Sequence, residues 1–337
     1  RKVACRRLRA AGFVEVKDAK LPQIRYWERL GAEDVTEPPL VVLHGYGRGL
    51  ASSLFEDMIP KIGRRSVIIV DCHWLMVTRV PATGDVSGTP TVRQIAEAVS
   101  GFLSSRLFTQ STDKAPAQVD ILGHSFGTAV ASALVRELEG DDYEDFSPQR
   151  RVRIRRTVLM DPMCFIPGIS KQAQLLRRTP RDLAEELVAE TAPGSSGLSP
   201  GEVMGAVLNK PKPFLEVQLD EEAAAKERRK WVIYQAYFFN YFIFRDLVYC
   251  WMNLRALQGP EYLDRGLLRQ ANRDGRLLTV LAETDTMIPA TLLREELSAD
   301  APKGSDAGVM WLPVVGHGAC QHRSDVIERI SRFLEAA

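Results

Sequence analysis

Apolar and polar residues alternate from Gly12 to Lys17 and again from Ile24 to Leu30, the two-residue period of strands with one buried face. Five further segments, Leu40–Leu43, Ser66–Asp71, Val119–Leu122, Val152–Met160 and Leu277–Ala282, are nearly continuous apolar runs. Such runs suit central strands covered on both sides, and Val309–Val314 supplies a last strand. Helical spacing of apolar residues fills the gaps at Ser52–Ile62, Thr91–Leu107, Gly127–Leu138, Thr291–Leu297 and Ser324–Leu334. The alternation predicts an α/β fold in which a mostly parallel eight-stranded sheet, with antiparallel edge strands at its start, carries helices on both faces. Polar stretches at Gly140–Gln149 and Ala301–Asp306 read as surface loops.

One interval breaks the pattern. From Met163 to about Arg273 no strand-like run occurs, only helical spacing around a Gly/Ser/Pro stretch at Pro193–Gly201. The expected organisation is therefore a core in two parts, 1–162 and 274–337, with a helical cap inserted at 163–273. Ten aromatic residues, among them Trp231, Tyr234, Tyr237, Phe242 and Trp251, crowd the later half of the cap beside Asn240, Arg245 and Asp246. These polar residues argue against a membrane span, which needs about 20 predominantly apolar residues. A buried cap helix is the expectation, ahead of an acyl-binding or membrane-surface face.

Composition narrows the function classes. The 337 residues carry 44 Lys plus Arg against 43 Asp plus Glu, so no overall field draws the chain to nucleic acid. Five cysteines without C-x-x-C spacing indicate neither a disulfide framework nor a zinc cluster. The expected setting is cytoplasmic or membrane-associated rather than secreted. The basic start, Arg1-Lys2 with Arg6-Arg7-Arg9, reads as a solvated face or as the cytosolic flank of an anchor helix lying before it.

The chemistry enters where the strand at Val119 runs into Gly123-His124-Ser125-Phe126-Gly127 and on into a helix with Val130, Leu134 and Leu138 on one face. A sharp strand-to-helix turn forces Ser125 into a strained conformation and holds its hydroxyl out. Glycines two residues to either side prevent collisions in that turn. The N–H of Phe126 and the positive end of the helix then face the oxygen that becomes negative in a tetrahedral intermediate. Upstream, the buried run Leu40–Leu43 ends in His44-Gly45-Tyr46-Gly47. Its glycines let the backbone approach a ligand, with the Tyr46 N–H as second oxyanion donor.

A serine hydroxyl needs a histidine to take its proton and a carboxylate to orient that histidine. Of five histidines, His44 belongs to the oxyanion loop and His124 to the elbow, while His73 follows a strand and His322 lies at the final helix. His317, in Gly316-His317-Gly318 after the last strand, is the expected base. Two acids compete: Asp285, in the loop after Leu277–Ala282, and Asp161, after Val152–Met160. The order Ser, Asp, His favours Asp285, with Asp161 as the alternative and Glu283 as a weaker third.

Through His44-Gly45-Tyr46-Gly47, Gly123-His124-Ser125-Phe126-Gly127, Asp285 with Ile288-Pro289, and Gly316-His317, the chain resembles the α/β-hydrolase superfamily, specifically its esterase, lipase and thioesterase-like members. The resemblance spans nearly everything outside the cap. It implies oxyanion loop, nucleophile, acid and base in those positions, no metal or organic cofactor, and a helical lid that shapes the acyl pocket. Serine in the elbow departs from epoxide hydrolases and haloalkane dehalogenases, which carry aspartate there. The expected partner is a small, hydrophobic acyl or aromatic ester or thioester, with peripheral membrane contact through the cap or an N-terminal anchor. A C–C hydrolase, peptidase, acyltransferase or non-catalytic binding protein on the same scaffold is the alternative.

Overall fold

The computed structural model describes residues 2–17, 24–45, 58–72, 90–108, 116–139, 152–165, 180–191, 197–208, 220–239, 265–285, 287–299 and 307–336. Its strands are β1 (Val14–Lys17), β2 (Ile24–Arg29), β3 (Leu40–Leu43), β4 (Val67–Cys72), β5 (Ala117–His124), β6 (Val152–Met160), β7 (Leu277–Ala282) and β8 (Gly308–Leu312). They form one sheet in the order β1-β2-β4-β3-β5-β6-β7-β8. β1 and β2 run antiparallel to their neighbours, and β4, β3, β5, β6, β7 and β8 are parallel. This is the expected α/β architecture. From β3 the chain passes to β4 on one side and then back across to β5 on the other. The carboxyl ends of β3 and β5 consequently flank the switch point, where open α/β sheets leave a crevice.

The described helices are α1 (Lys2–Ala10), α2 (Val92–Phe108), α3 (Phe126–Glu139), α4 (Pro180–Thr191), α5 (Pro200–Leu208), α6 (Glu221–Phe239), α7 (Arg265–Arg273), α8 (Ala290–Ser298) and α9 (Ser324–Glu335). Alternate residues of each central strand serve opposite faces. Val41, Leu43, Ile121, Leu159 and Leu281 pack beneath α2, α3, α7 and α8 through Ile95, Leu134, Leu268 and Leu293. Leu40, Val42, Leu122, Val158 and Val280 pack on the other face against Leu8 of α1 and Ile330 of α9. Within 163–273 the described residues form a 3₁₀ turn at Met163–Phe165 and helices α4 to α7. α4 and α5 both pack on α6, whereas α7 lies against α3 and β7.

Several boundaries move by one or two residues. β8 stops at Leu312 rather than Val314, because Val314 adopts a positive φ of 65° that no strand can continue through. The basic start forms a short helix that the sequence reading did not anticipate, with Ala4 and Leu8 buried against the sheet and Arg6, Arg7 and Arg9 outside. Most of the predicted helix Ser52–Ile62 lies outside the described residues; its end is a 3₁₀ turn at Ile59–Lys61. The polar loops Gly140–Gln149 and Ala301–Asp306, and the aromatic residues Tyr241 to Trp251, also lie outside them. No described helix is long and apolar enough to cross a membrane.

At the amino-terminal edge of the sheet one carboxylate organises several segments. Asp120 of β5 is fully buried and accepts a two-pronged bond from Arg155 of β6, Nε at 3.1 Å and Nη2 at 2.7 Å, and a further bond from Arg65. Arg65, 3% exposed, also donates to the Pro38 carbonyl just before β3, and Arg155 donates to the Leu334 carbonyl at the end of α9. Removing the single anion leaves two arginines held in place without it. Asp120→Asn is therefore expected to lower unfolding free energy by about 3–5 kcal/mol. Chemical denaturation measures this, and a loss below about 1 kcal/mol would mean that the arginines are otherwise satisfied.

Candidate active site

Ser125 sits at the single turn residue between β5 and α3 with a φ of 51°. That left-handed conformation is costly for a residue with a Cβ. Surrounding bonds hold it: the Ser125 N–H donates to the Met160 carbonyl at 2.9 Å, and the Ser125 carbonyl accepts from the Thr128 N–H at 2.9 Å and the Thr128 hydroxyl at 2.5 Å. Thr128 then accepts the Met163 N–H at 2.8 Å, fixing the chain that leaves β6. The neighbouring glycines are required by distance. A Cβ on Gly127 would lie 2.1 Å from the Leu43 carbonyl oxygen, and one on Gly45 would lie 2.8 Å from the Ser125 Cβ.

Beyond β8, His317 turns its ring back to the serine. Its Nε2 is 2.8 Å from Ser125 Oγ and its Nδ1 is 2.6 Å from Asp285 Oδ2. The network fits one tautomer, in which Nδ1–H donates to Asp285 and Nε2 accepts from the serine hydroxyl. Asp285 is oriented in turn by the Met287 and Ile288 amides, which donate to its Oδ1 at 2.8 and 3.1 Å. Burial lowers the affinity of His317 for a proton, but the charge and hydrogen bond of Asp285, helped by the charge of Asp161, outweigh it and raise the pKa to about 9.

Asp161 has a different place. It too has a positive φ, 46°, and is fully buried. Its carboxylate accepts the Gly318 N–H at 2.6 Å and the Ala282 N–H at 3.3 Å, and lies 3.5 Å from Cys320 Sγ. It thus ties the end of β7 to the backbone just after His317, and burial, against the opposing pull of His317, pushes its pKa up to about 6. Of the two acids weighed from sequence, Asp285 is the one that meets the imidazole. Glu283, the third, accepts from Arg228 and from the Val314 N–H instead.

His44 and His124 are occupied elsewhere, and His73 lies outside the described residues. His44 Nδ1 bonds the Gly45 carbonyl at 2.8 Å and its Nε2 accepts the Cys72 N–H at 3.2 Å; burial lowers its pKa, so the ring is neutral. His124 meets the Gln321 carboxamide at 2.8 Å, and burial followed by the charges of His317 and His44 takes its pKa well below the ordinary value. Phe126 opens α3, so its N–H is one of the first-turn amides that have no carbonyl within their own helix. Tyr46 and Gly47 lie outside the described residues. Ligand-type atoms of His124, Asp161 and Cys320, and of Asp161, Asp285 and His317, come within 4.8 Å of one another. The hydrogen bonds above already account for their orientation.

Gln235 of α6 was not identified from sequence. It is buried, its Nε2 donates to the Thr284 carbonyl at 2.9 Å, and its Oε1 accepts the His317 N–H at 3.3 Å. A glutamine inside a helix of mixed charge carries no signature by which sequence could have singled it out.

With fold and site in place, the comparisons bear on class. A family model described as the alpha/beta hydrolase family matches residues 40–330. The chain belongs to that family, and membership supports a hydrolase. A search of curated proteins finds no match. Among solved structures, Lip1 of Acinetobacter baumannii AYE, named as a lipase, is similar at 16% identity and a TM-score of 0.50, covering 99% of this chain and 94% of that one. Naproxen esterase (carboxylesterase NP) of Bacillus subtilis is similar at 15% identity and a TM-score of 0.49, covering 99% and 96%. At this identity the likeness concerns the fold.

The close approach of α3 to β3 gives a stability test. Gly127→Ala must separate these elements, with an expected loss of about 3 kcal/mol or more, at the upper end of overpacking costs. Gly101→Ala in α2, where nothing lies within 4 Å of the added Cβ, is expected to gain up to about 1 kcal/mol from helix propensity. Denaturant midpoints of the two variants should move in opposite directions; a neutral Gly127→Ala would contradict the packing described.

Proposed function

We propose that the protein is a serine hydrolase that cleaves a carboxylic ester or thioester of a hydrophobic acyl or aromatic compound, with Ser125 as nucleophile, His317 as base and Asp285 as acid. The observation that carries this reading is the double contact of one imidazole, Nε2 to Ser125 at 2.8 Å and Nδ1 to Asp285 at 2.6 Å. In the first half-reaction His317 takes the hydroxyl proton as Ser125 Oγ bonds to the substrate carbonyl carbon. The carbonyl oxygen becomes an anion, opposite which the Phe126 amide and the positive end of α3 are the stabilising groups, with Tyr46 as the second donor. Collapse breaks the bond to the leaving group, which receives the proton from His317. Water then gives a proton to His317 as its oxygen adds to the acyl carbon; collapse releases the acid and breaks the bond to Ser125 Oγ, which takes the proton back from His317. The aromatic run in 231–251 and the buried Met163, whose Sδ lies 3.6 Å from Ser125 Oγ, support an apolar substrate.

Ser125→Ala should keep its fold and lose ester turnover by at least about 10⁴-fold, together with labelling by a fluorophosphonate. Retained turnover in a folded Ser125→Ala protein would exclude the assignment. The base must be neutral to act, and its pKa is raised, so kcat/KM should climb with pH through and above neutrality. Asp285→Asn removes the main raising charge. It is expected to cost about 10⁴-fold in kcat and to move the acid limb of the profile to lower pH. If Asp161→Asn instead produces the larger loss, Asp161 is the acid.

A further inference from the structure

We propose that Gln235 is a positioning residue that sets the acid and base loops against each other, so that catalysis requires helix α6 to be seated on both. This rests on the serine-hydrolase reading above. A carboxamide offers donor and acceptor from one planar group, and here each end is committed to a different loop. Nε2 holds the carbonyl of Thr284, the residue before Asp285, and Oε1 holds the amide of His317 itself. The two loops also share a backbone bond, from Thr284 N–H to the Val315 carbonyl at 3.0 Å. Gln235 adds the link at the level of the reacting groups. At 1% exposure, its polar atoms have no alternative in water, which favours the bonded arrangement.

The surrounding contacts show that α6 is fitted to this surface. Arg228, Trp231 and Gln235 are spaced three and then four residues apart and so share one helix face. Arg228 Nε donates to Glu283 at 2.8 Å, and the same Glu283 oxygen accepts the Val314 N–H at 2.7 Å. Trp231 is buried over Gly316, where an added Cβ would fall 2.8 Å from the indole and 1.9 Å from Gln235 Nε2. The residue before the base therefore lacks a side chain because α6 occupies its space. One helix face thus contacts the acid loop at Glu283 and Thr284 and the base loop at Gly316 and His317, with Glu283 passing the contact on to Val314.

A helix that merely covered the site would affect substrate binding and leave the proton chemistry alone. Two variants separate these roles. Gln235→Leu keeps much of the volume and removes both bonds. Its kcat on an activated ester is expected to fall about tenfold with KM little changed, and the acid limb should shift to lower pH as the Asp285 contact loosens. Gln235→Glu keeps an acceptor for the His317 amide and brings a negative charge to the backbone of that residue, which should favour its imidazolium and move the limb to higher pH. Opposite displacements support the proposal. An unchanged kcat and limb in folded Gln235→Leu overturns it, as does a change confined to KM. If Gln235→Leu does not fold, Gln235→Glu decides, and an unmoved limb there is the overturning result. Fluorophosphonate labelling separates the two levels of the argument. Failure to label wild-type Ser125 overturns the serine-hydrolase reading and this inference with it, whereas labelling of wild type and Gln235→Leu at equal rates overturns this inference alone.

Discussion

The contact between the Gly127 Cα and the Leu43 carbonyl is the constraint on which the carboxyl edge of the sheet depends. With only 2.1 Å available to a Cβ, α3 can lie close enough to β3 for the turn at Ser125 to close in a single residue. That closure puts the serine into its left-handed conformation, a strain of about 1–3 kcal/mol for such residues. The three bonds from Met160 and Thr128 hold the strained backbone in place. The hydroxyl consequently starts from a fixed position, and every other group at the site can be placed by reference to it.

The same device recurs across the sheet. Among the described residues, the non-glycine positions with positive φ are Ser125, Asp161 and Val314, following β5, β6 and β8. Each N–H is held by the neighbouring strand or the loop beyond it. Ser125 donates to Met160 at the end of β6, Asp161 to Val280 of β7, and Val314 to Glu283 after β7. The strands are parallel, so all three turns fall at one edge. Strain of this kind persists only where neighbours over-determine it, and the interlocked amides show how the neighbours do so. The Asp161 carboxylate extends the chain of support to Gly318, the residue after His317.

Much of this architecture was legible in the sequence because each part has a local cause. Continuous apolar runs mark strands buried on both faces, and Gly123-His124-Ser125-Phe126-Gly127 marks a turn that only glycine allows. His317 emerged by elimination, and Asp285 from chain order. What was not legible depends on distant partners. The helix at Lys2–Ala10 is too short to declare itself, since its stability comes from burying Ala4 and Leu8 on the sheet rather than from propensity. Asp161 and Asp285 both follow strands, and only the side-chain geometry separates a carboxylate that meets Nδ1 from one that braces Gly318. Gln235 becomes visible only when α6 is packed over Gly316, a contact between residues about 80 positions apart.

Two carboxylates near one imidazole set the proton chemistry. Asp161 and Asp285 lie within 4.8 Å of the His317 ring nitrogen, and both favour its protonated form, so His317 holds a proton more tightly than an isolated histidine would. A stronger base takes the serine proton more readily, yet one that is too strong is already protonated at neutral pH and cannot act. Burial opposes the rise, because it disfavours the imidazolium. His124 adds no opposing charge, since burial and the charges of His317 and His44 take its own pKa well below the ordinary value. Burial also raises the pKa of Asp161 to about 6, still below that of His317, so Asp161 is an anion where the imidazole titrates and reinforces the imidazolium there. Asp285 acts on the ring through direct contact, and Asp161, tied to the Gly318 amide, adds its charge while keeping the loop in place.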